Sequence, residues 1–445
     1  MKIAFHTLGC KVNQYETEML KERFGKKGHT IVNENDFADV YIINTCTVTS
    51  LADRKSRQYI RKMKKLNPDS IVAVTGCYAQ VNPDEVSAIE GVNIVTGTNE
   101  KRGLVDYVEE YAATAMSEKR VERHLKEYEA LDIYEETGII TSMESRTRAF
   151  IKVQEGCNRF CAYCIIPYAR GNVRSRTPED IIAEAEALLN QGFKELILTG
   201  INTALYKAPH GNYGIEFILD KLEELQGDFR IRLSSLEPTV VNAEYVKTLL
   251  KYKRLCPHLH LSIQSGSDEI LAAMNRKYTR SQYLEIVDVL KMYDKNYAIT
   301  TDMIVGFPGE TDENFNDSLR MIRETAFSKV HVFKYSKRPG TMAAGMKNQV
   351  ASEVKNRRSA ELIFEGERIS QQFFISNLNT VRRVLFEEYD NKIKCFTGYT
   401  DNYIKVYLPK KELKQGVEGK IENNFHDVRL EQPFKDGILG KQTIR

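Results

Sequence analysis

The sequence lacks a long apolar run, a signal-like N-terminus and a large net charge. No stretch of about 18 consecutive apolar residues occurs, so we expect no membrane-spanning helix. Met1 to Phe5 includes one lysine and no extended apolar segment, which excludes a typical secretory signal peptide. The net charge of +3 is too small to indicate a class of partner. Together these absences favour a cytoplasmic protein.

Cysteine is also scarce, with eight residues in a chain of 445. This number does not suit a disulfide framework, and six of the eight lie where metal ligands are expected, which favours a reducing compartment. Cys256 and Cys395 stand alone in the sequence, and we interpret them as ordinary thiols. The length allows about three domains. A hydrophobic content of 42% and a charged content of 28% are typical of a soluble globular protein.

Three of the cysteines, Cys157, Cys161 and Cys164, form a C-x₃-C-x₂-C segment. Most protein [4Fe–4S] clusters have four cysteine ligands, so a loop with three leaves one iron open. The alternative is a zinc site, but zinc sites usually combine such a segment with a distant second pair of ligands. No such pair follows, since the next cysteine is Cys256. The spacing therefore predicts a cluster that binds S-adenosylmethionine at its open iron and cleaves it to a radical.

Residues 1 to about 100 alternate short apolar strands with helices. Lys2–Phe5, Val40–Ile43 and Ile71–Val74 are rich in Val and Ile and predict buried strands. Asn13, with Glu16 three residues later, predicts a capping box at the start of a helix. The order βαβαβ requires right-handed crossovers, so we expect an open parallel α/β sheet.

A cysteine follows each of these three strands: Cys10, Cys46 and Cys77. The carboxyl ends of parallel strands meet at one edge of a sheet, where ligands bind. We therefore expect the three thiols to lie together and to hold a second cluster with an open iron. The alternative is three unrelated buried thiols, because free cysteine is a common core residue.

Further strand and helix patterns begin near Ala149 and continue for about 200 residues. About six βα units predict a partial parallel barrel of the (βα)₆ type, with its active site at the carboxyl ends of the strands. The last 65 or so residues contain short β-rich segments separated by turn residues, which predict a small β-barrel. We expect domains at residues 1–112, 143–373 and 374–441, with a linker at 113–142.

The loops that follow the barrel strands carry glycine, hydroxyl, amide and carboxylate groups that suit S-adenosylmethionine. Glycine permits close backbone approach, while polar side chains address the ammonium, carboxylate and ribose groups of that cofactor. The alternative for each loop is an ordinary turn. The candidate cofactor-binding residues in these loops are Gly200, Asn202, Ser235, Glu237, Gln264, Ser265, Ile304 and Gly306.

Clustered basic residues indicate where RNA phosphates could bind. One predicted helix carries several cations against a single acid, and two arginines follow the C-x₃-C-x₂-C loop. The alternative is an ordinary solvated helix face. Lys410, Lys411 and Lys414 form a weaker candidate of the same kind. The candidate RNA-binding residues are Arg54, Lys55, Arg57, Arg61, Lys62, Arg170 and Arg176.

Both cysteine sets and their neighbours resemble the methylthiotransferase family of radical S-adenosylmethionine enzymes over essentially the full length. The first set is carried by Cys10 to Glu16, Asn44 to Thr49 and Gly76 to Tyr78. The second is carried by Cys157 to Arg176, with Tyr163 in the aromatic position before the third cysteine, and by the segment from Phe333 to Thr341. The resemblance implies two [4Fe–4S] clusters, S-adenosylmethionine bound partly by Tyr163, and a C-terminal barrel of the TRAM type.

The residues after Cys10, Lys-Val-Asn-Gln, resemble the branch that acts on N6-threonylcarbamoyladenosine beside the tRNA anticodon. The resemblance implies that two molecules of S-adenosylmethionine are used, one to methylate a cluster-held sulfur and one to activate carbon 2 of the base. It also implies a tRNA anticodon stem-loop as substrate, a reductant such as flavodoxin or ferredoxin, and a monomeric enzyme.

Three alternatives remain open at this point. Two are methylthiotransferases that act on isopentenyladenosine in tRNA or on an aspartate of a ribosomal protein. The third belongs to another class, an RNA-binding iron–sulfur protein whose clusters are structural or redox-sensing. The last alternative explains the basic helix and the small barrel, but it does not explain two separate sets of three thiolates.

Overall fold

In the computed structural model, the chain forms an α/β unit, an open parallel barrel and a small closed β-barrel in succession. The structure describes residues 1–114, 120–136, 138–141, 143, 147–211, 213–413 and 421–443. Within them, no helix is both long and apolar enough to cross a membrane. The architecture confirms the predicted fold class.

The α/β unit contains a six-stranded parallel sheet in the order β2-β1-β3-β4-β5-β6. Its strands are β1 (Lys2–Thr7), β2 (Thr30–Val32), β3 (Val40–Thr45), β4 (Ile71–Gly76), β5 (Ile94–Thr96) and β6 (Glu122–His124). Its helices are α1 (Lys11–Lys26), α2 (Ser50–Leu66), α3 (Cys77–Val81), α4 (Pro83–Ser87) and α5 (Leu104–Thr114), and a 3₁₀ turn spans Tyr128–Ala130.

The centre of this sheet is buried on both faces, which is why its strands are apolar throughout. All six residues of β3 are buried, and two separate apolar clusters pack on the two sides of the sheet. Strand β6 pairs with β5 and lies inside residues 113–142. That segment is therefore not only a linker, because it completes the sheet.

In the described residues, the open barrel contains nine short strands and nine helices. The strands are β7 (Arg148–Lys152), β8 (Gln154–Glu155), β9 (Arg174–Ser175), β10 (Glu195–Thr199), β11 (Arg230–Leu233), β12 (Ser235–Leu236), β13 (His258–Leu261), β14 (Ala298–Val305) and β15 (Lys329–Lys334). The helices are α6 (Ile166–Arg170), α7 (Pro178–Asn190), α8 (Ile215–Glu224), α9 (Ala243–Leu249), α10 (Asp268–Ala273), α11 (Arg280–Tyr293), α12 (Asp312–Thr325), α13 (Met342–Gly345) and α14 (Ser352–Asn377), with a 3₁₀ turn at Thr203–Leu205.

The barrel sheet has six strand positions, in agreement with the predicted (βα)₆ pattern. One part pairs β7, β10 and β11, and the other pairs β12, β13, β14 and β15, all in parallel. Strands β11 and β12 are separated at Ser234, whose N–H donates to the carbonyl of Leu198. Helix α1 lies against β7 and α14 lies against β15, so each outer strand of the open barrel has a helical neighbour.

The C-terminal barrel is closed and contains five strands in the order β16-β17-β18-β20-β19. The strands are β16 (Val381–Asp390), β17 (Cys395–Thr400), β18 (Lys405–Pro409), β19 (Phe425–Phe434) and β20 (Gly437–Gln442). The basic residues Lys410 and Lys411 lie in a 3₁₀ turn (Lys410–Glu412), whereas Lys414 is outside the described residues.

A buried ion-pair network joins this small barrel to the open barrel. Glu195 of β10 accepts from Arg230 and from Arg232 on the neighbouring strand β11. The same two guanidinium groups also donate to the main-chain oxygens of Tyr399 (3.1 Å) and Asp401 (3.2 Å). Burial would raise the pKa of Glu195, but the two arginines lower it well below its usual value.

We expect Glu195→Gln to destabilise the protein by about 3–5 kcal/mol, because two buried guanidinium groups would lose their counter-charge. Urea denaturation followed by circular dichroism measures the change. Glu244→Gln is the matched control, since Glu244 pairs with Lys247 at 2.7 Å on an exposed helix face. The control should change stability by less than about 1 kcal/mol. Equal effects of the two substitutions would contradict the structural importance of the buried network.

Candidate active site between two cysteine triplets

Cys157, Cys161 and Cys164 lie in one loop between β8 and α6, which we call the first triplet. The loop is held at both ends, since Cys157 N–H donates to Gly171 O and Cys164 N–H donates to Cys161 O. Burial, with a smaller contribution from the neighbouring Cys161, raises the pKa of Cys157 to about 11. Metal binding would therefore have to displace the proton of this thiol.

A buried arginine donates to this triplet. Arg276 Nη1 lies 3.1 Å from Cys161 Sγ, and Arg276 Nε donates to the hydroxyl of Tyr278. Glu237 lies 3.4 Å from the same guanidinium group and also accepts from Arg159 at 2.8 Å. A fixed positive charge beside the sulfur stabilises a thiolate ligand.

Cys10, Cys46 and Cys77 form the second triplet, at the carboxyl ends of β1, β3 and β4 as predicted. Cys10 is the N-cap of α1, and Cys77 is the first residue of α3. Burial raises the pKa of Cys46 to about 12, and the nearby thiols of Cys77 and Cys10 add to this effect. Gly9 permits the close packing of two of the loops, because a Cβ atom there would lie 2.8 Å from Cys46 Cβ.

Arg170 joins the two triplets. It ends α6, directly beyond the first triplet, yet its Nε donates to Cys77 Sγ at 3.3 Å. Its other donors reach Asn13 Oδ1 at 2.7 Å, Glu16 Oε1 at 2.9 Å and the carboxylate of Glu155. The side chain of Arg170 is 0% exposed. The predicted RNA contact by Arg170 is therefore wrong, because its side chain is fully buried and cannot reach an RNA phosphate.

Arg176 is also buried, and its predicted RNA contact is wrong for the same reason. Its side chain is 1% exposed and pairs with Glu184 at 3.0 Å and with Glu136 at 2.9 Å. The hydroxyl of Tyr15 lies within 3.3 Å of the same guanidinium group. Arg176 thus fixes α1 of the N-terminal unit against α7 of the open barrel.

The predicted capping box at the start of α1 is also wrong. Asn13 donates from Nδ2 to the main-chain oxygens of Leu8 (2.7 Å) and Thr45 (2.9 Å), rather than to a helix terminus. Glu16 binds Arg170 instead of the N-cap, which has no side-chain capping bond. Both residues point into the junction between the two triplets.

A second cross-connection holds the Cys46 loop. Arg338, which precedes α13, donates from Nη2 to Thr47 Oγ1 at 2.6 Å and pairs through Nη1 with Asp53 at 2.7 Å. Ser336 accepts from the N–H of Ser50 at 3.1 Å. The loop that carries Cys46 is therefore fixed to the open barrel from a second direction.

Two predicted cofactor-binding residues lie beside the first triplet. Asn202 Nδ2 donates to Glu237 Oε2 at 3.0 Å, and the N–H of Asn202 donates to Gln154 Oε1. Asn202 Oδ1 is buried and has no hydrogen-bond partner in the described residues. An ammonium group, such as that of S-adenosylmethionine, would satisfy this acceptor. The residues present thus fit the predicted cofactor.

The remaining predicted residues lie at the ends of β13 and β14 or in the apolar surroundings of the triplet. Gln264 connects these strand ends, because its N–H donates to Asp302 O and its carbonyl accepts from Ile304. Ile304 and Tyr163 pack against the same apolar cluster. Two residues have structural bonds instead: Ser265 Oγ accepts from Ser267 N–H, and Gly306 N–H donates to Glu310.

A cavity of about 550 Å³ opens between the N-terminal unit, the open barrel and the small barrel. Cys10 of the second triplet lines it on one side, and the predicted residues Gly200 and Ser235 line it on the other. The small barrel contributes aromatic residues, including Tyr399 and Tyr403. A volume in this range suits a nucleoside-sized ligand.

Neither triplet has the geometry of a single-ion site. In the described part of the chain, no three ligand side chains converge at distances that would hold one ion. A [4Fe–4S] cluster does not require this, because each thiolate binds a different iron. Two sets of three thiols, each with a buried arginine beside one sulfur, fit clusters better than zinc.

Comparison with known proteins agrees with this chemistry. Residues 151–322 match the family model of the radical SAM superfamily, and residues 2–97 match the model of the uncharacterized protein family UPF0004. The chain is 43% identical over 441 residues to the threonylcarbamoyladenosine tRNA methylthiotransferase MtaB of Bacillus subtilis (strain 168). The alignment covers 98% of this chain and 95% of that relative. The chain belongs to the MtaB family of tRNA methylthiotransferases.

Other relatives are consistent with this assignment. The MtaB protein of Aquifex aeolicus (strain VF5) is 39% identical and spans 91% of this chain and 96% of its own length. A tRNA-2-methylthio-N(6)-dimethylallyladenosine synthase from Lachnoclostridium phytofermentans is 35% identical over 90% of this chain and 88% of the relative. As a member of this radical S-adenosylmethionine family, the protein uses [4Fe–4S] clusters and S-adenosylmethionine.

Among solved structures, the radical S-adenosylmethionine methyltransferase TsrM from Kitasatospora setae shares the fold. That structure has a TM-score of 0.56 and 15% sequence identity, over 77% of this chain and 73% of TsrM. At this identity, the likeness concerns only the arrangement of elements.

Three functional residues of this MtaB family member were missed in the sequence. Arg276 lies 115 residues from the cysteine it contacts, so no local pattern connects them. Gln154 and Glu155 lie three and two residues before Cys157, but nothing in this short buried strand indicated that their side chains bind Asn202 and Arg170. Their nearness in sequence to the first triplet is the one signal that could have found them.

We expect Gly9→Ala to prevent assembly of the second cluster, because the added methyl group would lie 2.8 Å from Cys46 Cβ and the φ of +114° is strained for alanine. Iron analysis after anaerobic reconstitution should show about four irons per chain instead of about eight. Gly25→Ala is the matched control, since nothing lies within 4 Å of its Cβ position. Full iron content in Gly9→Ala would contradict the close packing of these loops.

Proposed function

We propose that the protein adds a methylthio group to carbon 2 of N6-threonylcarbamoyladenosine beside the anticodon of tRNA. The observation that carries this proposal is the presence of two thiol triplets bridged by Arg170. One triplet is sufficient to bind and cleave S-adenosylmethionine. A second triplet is needed when the reaction also transfers sulfur, because a second cluster can carry that sulfur. The near full-length similarity to MtaB proteins supports this substrate over isopentenyladenosine or a ribosomal protein.

The residues divide into two metal sites and one cofactor pocket. Cys157, Cys161 and Cys164 hold the cluster that binds S-adenosylmethionine, and the second triplet holds the cluster that carries the sulfur. When bound, these groups supply the radical and the methylthio group, which no ordinary side chain can provide. In this proposal the cofactor pocket consists of Tyr163 in the cysteine loop and of the loop residues Gly200, Asn202, Ser235, Glu237, Gln264 and Ile304, while Ser265 and Gly306 support it through their structural bonds.

Within this pocket, the side chains orient the bound groups and interact with their charges. Asn202 Oδ1 accepts a hydrogen bond from the ammonium of the cofactor, and Glu237 adds a negative charge beside it. Arg276 and Arg170 each donate to one ligand sulfur and so lower the negative charge at their triplet. The same arginines fix the sulfur atoms in place, which keeps the two reacting centres in register.

Helix α2 forms part of the tRNA-binding surface in this proposal. Arg54, Lys55, Arg61 and Lys62 are exposed and form no ion pair in the described residues. Arg57 is half-buried and pairs with Glu85 at 2.8 Å, so it is the weakest member of this set. Lys62 also donates to Asn35 at 2.6 Å, but none of the four cations has an acidic partner in the described residues, which suits the phosphates of a stem-loop.

The domain assignment and the partners complete the proposal. Residues 1–112, extended by β6, form the domain of the second triplet, residues 143–373 form the radical core, and residues 374–441 form a TRAM-like barrel that supports tRNA binding. We propose that the enzyme acts in the cytoplasm as a monomer. Flavodoxin or ferredoxin is a suitable one-electron reductant.

We expect the two triplets to be separable by mutation. Cys157→Ala should abolish formation of 5′-deoxyadenosine from S-adenosylmethionine, whereas Cys46→Ala should retain it but form no methylthio product. Liquid chromatography with mass spectrometry measures both products after anaerobic reduction. Cys395→Ala is the control, because Cys395 lies in the small barrel, outside both triplets. Methylthiolated tRNA from Cys46→Ala would contradict the sulfur-carrying role.

We expect the double substitution Arg54→Ala with Arg61→Ala to weaken tRNA binding and to make it less salt-dependent. Each lost phosphate contact should reduce the slope of log K against log salt by about 1. Fluorescence anisotropy at several salt concentrations measures this slope. Lys221→Ala provides the control, since Lys221 pairs with Glu224 on another helix. An unchanged slope would contradict RNA contact by α2.

A further inference from the structure

Lys11 is a cation without a counter-charge in the cavity that Cys10 of the second triplet lines. It is the first residue of α1, is half-buried, and lines the cavity next to Cys10. In the described residues, its ammonium group forms no ion pair and no hydrogen bond with an acid. A buried or half-buried cation is usually paired, so this one is free for a ligand.

The acidic residues that line the cavity already have partners other than Lys11. Asp302 and Asp436 are the two acidic residues among the described residues that line it. Asp302 accepts from His260 at 3.1 Å, and Asp436 lies 3.6 Å from Lys405. Neither therefore offers Lys11 a free carboxylate.

The charged groups behind the cavity wall are also paired. Arg232 binds Glu195 at 2.9 Å, and Arg148 pairs with Glu387. Neither Glu195 nor Glu387 is therefore left to pair with Lys11. The charged lining of the cavity consists of Lys11, Lys329 and Lys405 against Asp302 and Asp436, and this excess of positive charge favours an anion.

An aromatic surface lies in the same cavity. The rings of Tyr399 and Tyr403 stack with centroids 5.2 Å apart and an interplanar angle of 28°. The guanidinium of Arg232 covers Tyr403 at 4.4 Å, which fixes the orientation of that ring. Flat aromatic rings of this kind stack on unpaired bases of single-stranded RNA. The cavity therefore combines a base-stacking surface with two lysines that form no ion pair in the described residues, the half-buried Lys11 next to Cys10 and the exposed Lys329.

Resting on the proposed function, we infer that Lys11 binds the carboxylate of the threonylcarbamoyl group and thereby selects the modified base. The threonyl part carries the one anionic group on an otherwise neutral nucleobase. A cation in a partly desolvated cavity gains a charge-assisted hydrogen bond from it. An adenine without this group, or with an apolar substituent, would leave Lys11 unpaired and bind less tightly. Lys11 is thus a specificity-determining residue.

The test compares three anticodon stem-loop RNAs that differ at one base. One carries N6-threonylcarbamoyladenosine, the second carries its neutral carboxamide analogue, and the third carries adenosine. Binding to the anaerobically reconstituted enzyme is measured by fluorescence anisotropy at one fixed salt concentration. The wild-type protein should bind the carboxylate RNA about 10- to 100-fold more tightly than the carboxamide RNA.

Lys11→Met should lose this discrimination. We expect its affinity for the carboxylate RNA to fall by about 10- to 100-fold, with unchanged affinity for the other two RNAs. Lys11→Arg should restore part of the difference, because it restores the charge. Lys247→Met is the control on an exposed helix face and should bind all three RNAs as the wild type does. Iron content and circular dichroism establish that each variant is folded and loaded.

Two results would overturn the inference. If Lys11→Met binds all three RNAs more weakly by the same factor, Lys11 contacts an RNA phosphate. If the variant still prefers the carboxylate RNA over the carboxamide RNA as the wild type does, Lys11 has no part in base recognition. Affinity for S-adenosylmethionine, measured on the same variant by equilibrium dialysis, should be unchanged. A loss there, with RNA discrimination intact, would assign Lys11 to the cofactor carboxylate instead. Failure of the wild-type enzyme to methylthiolate the first RNA would contradict the proposed function and not the selectivity of Lys11.

Discussion

The structure depends on one buried guanidinium group, that of Arg170. It extends from the helix after the first triplet to Cys77 of the second, and it is held there by Asn13, Glu16 and Glu155. Burial would raise the pKa of Glu16, but Arg170 and two neighbouring lysines hold it well below its usual value. A buried carboxylate and a buried guanidinium are each costly without a partner. Separation of the two domains would leave Glu16 unpaired in one and Arg170 without that partner in the other. The spacing of the two triplets is therefore fixed by electrostatics as well as by packing.

The fold was largely predictable because its strands are continuous apolar runs. Strands β1, β3 and β4 begin at the predicted residues and extend two positions further, into polar residues that pair along the sheet edge. The predicted basic helix is α2, which begins where Thr49 caps its first turn and ends before a proline. The alternation of strand and helix also predicted the number of strand positions in the open barrel. Periodicity carries this information locally, so no distant contact was needed.

The arrangement of the site was less accessible to sequence reasoning. The two triplets were found because cysteine spacing and strand ends are local features. The arginines were misjudged, since Arg170 and Arg176 have the same sequence character as exposed phosphate-binding residues. Several of their partners lie in the N-terminal unit, 93 to 161 residues away. Asn13 and Glu16 matched a helix-capping pattern for the same reason, because that pattern does not distinguish a cap from a buried polar network.

The attachment of the small barrel has a consequence for how such enzymes diversify. Arg230 and Arg232 donate hydrogen bonds to main-chain oxygens of the barrel, in addition to their contacts with the rings of Phe425 and Tyr403. Any sequence that folds into the same backbone conformation provides these two main-chain oxygens, whatever the side chains at positions 399 and 401. The outer face of the barrel can therefore change its chemistry without weakening the junction. A natural or engineered exchange of this module could redirect the enzyme to another RNA while the radical machinery stays intact.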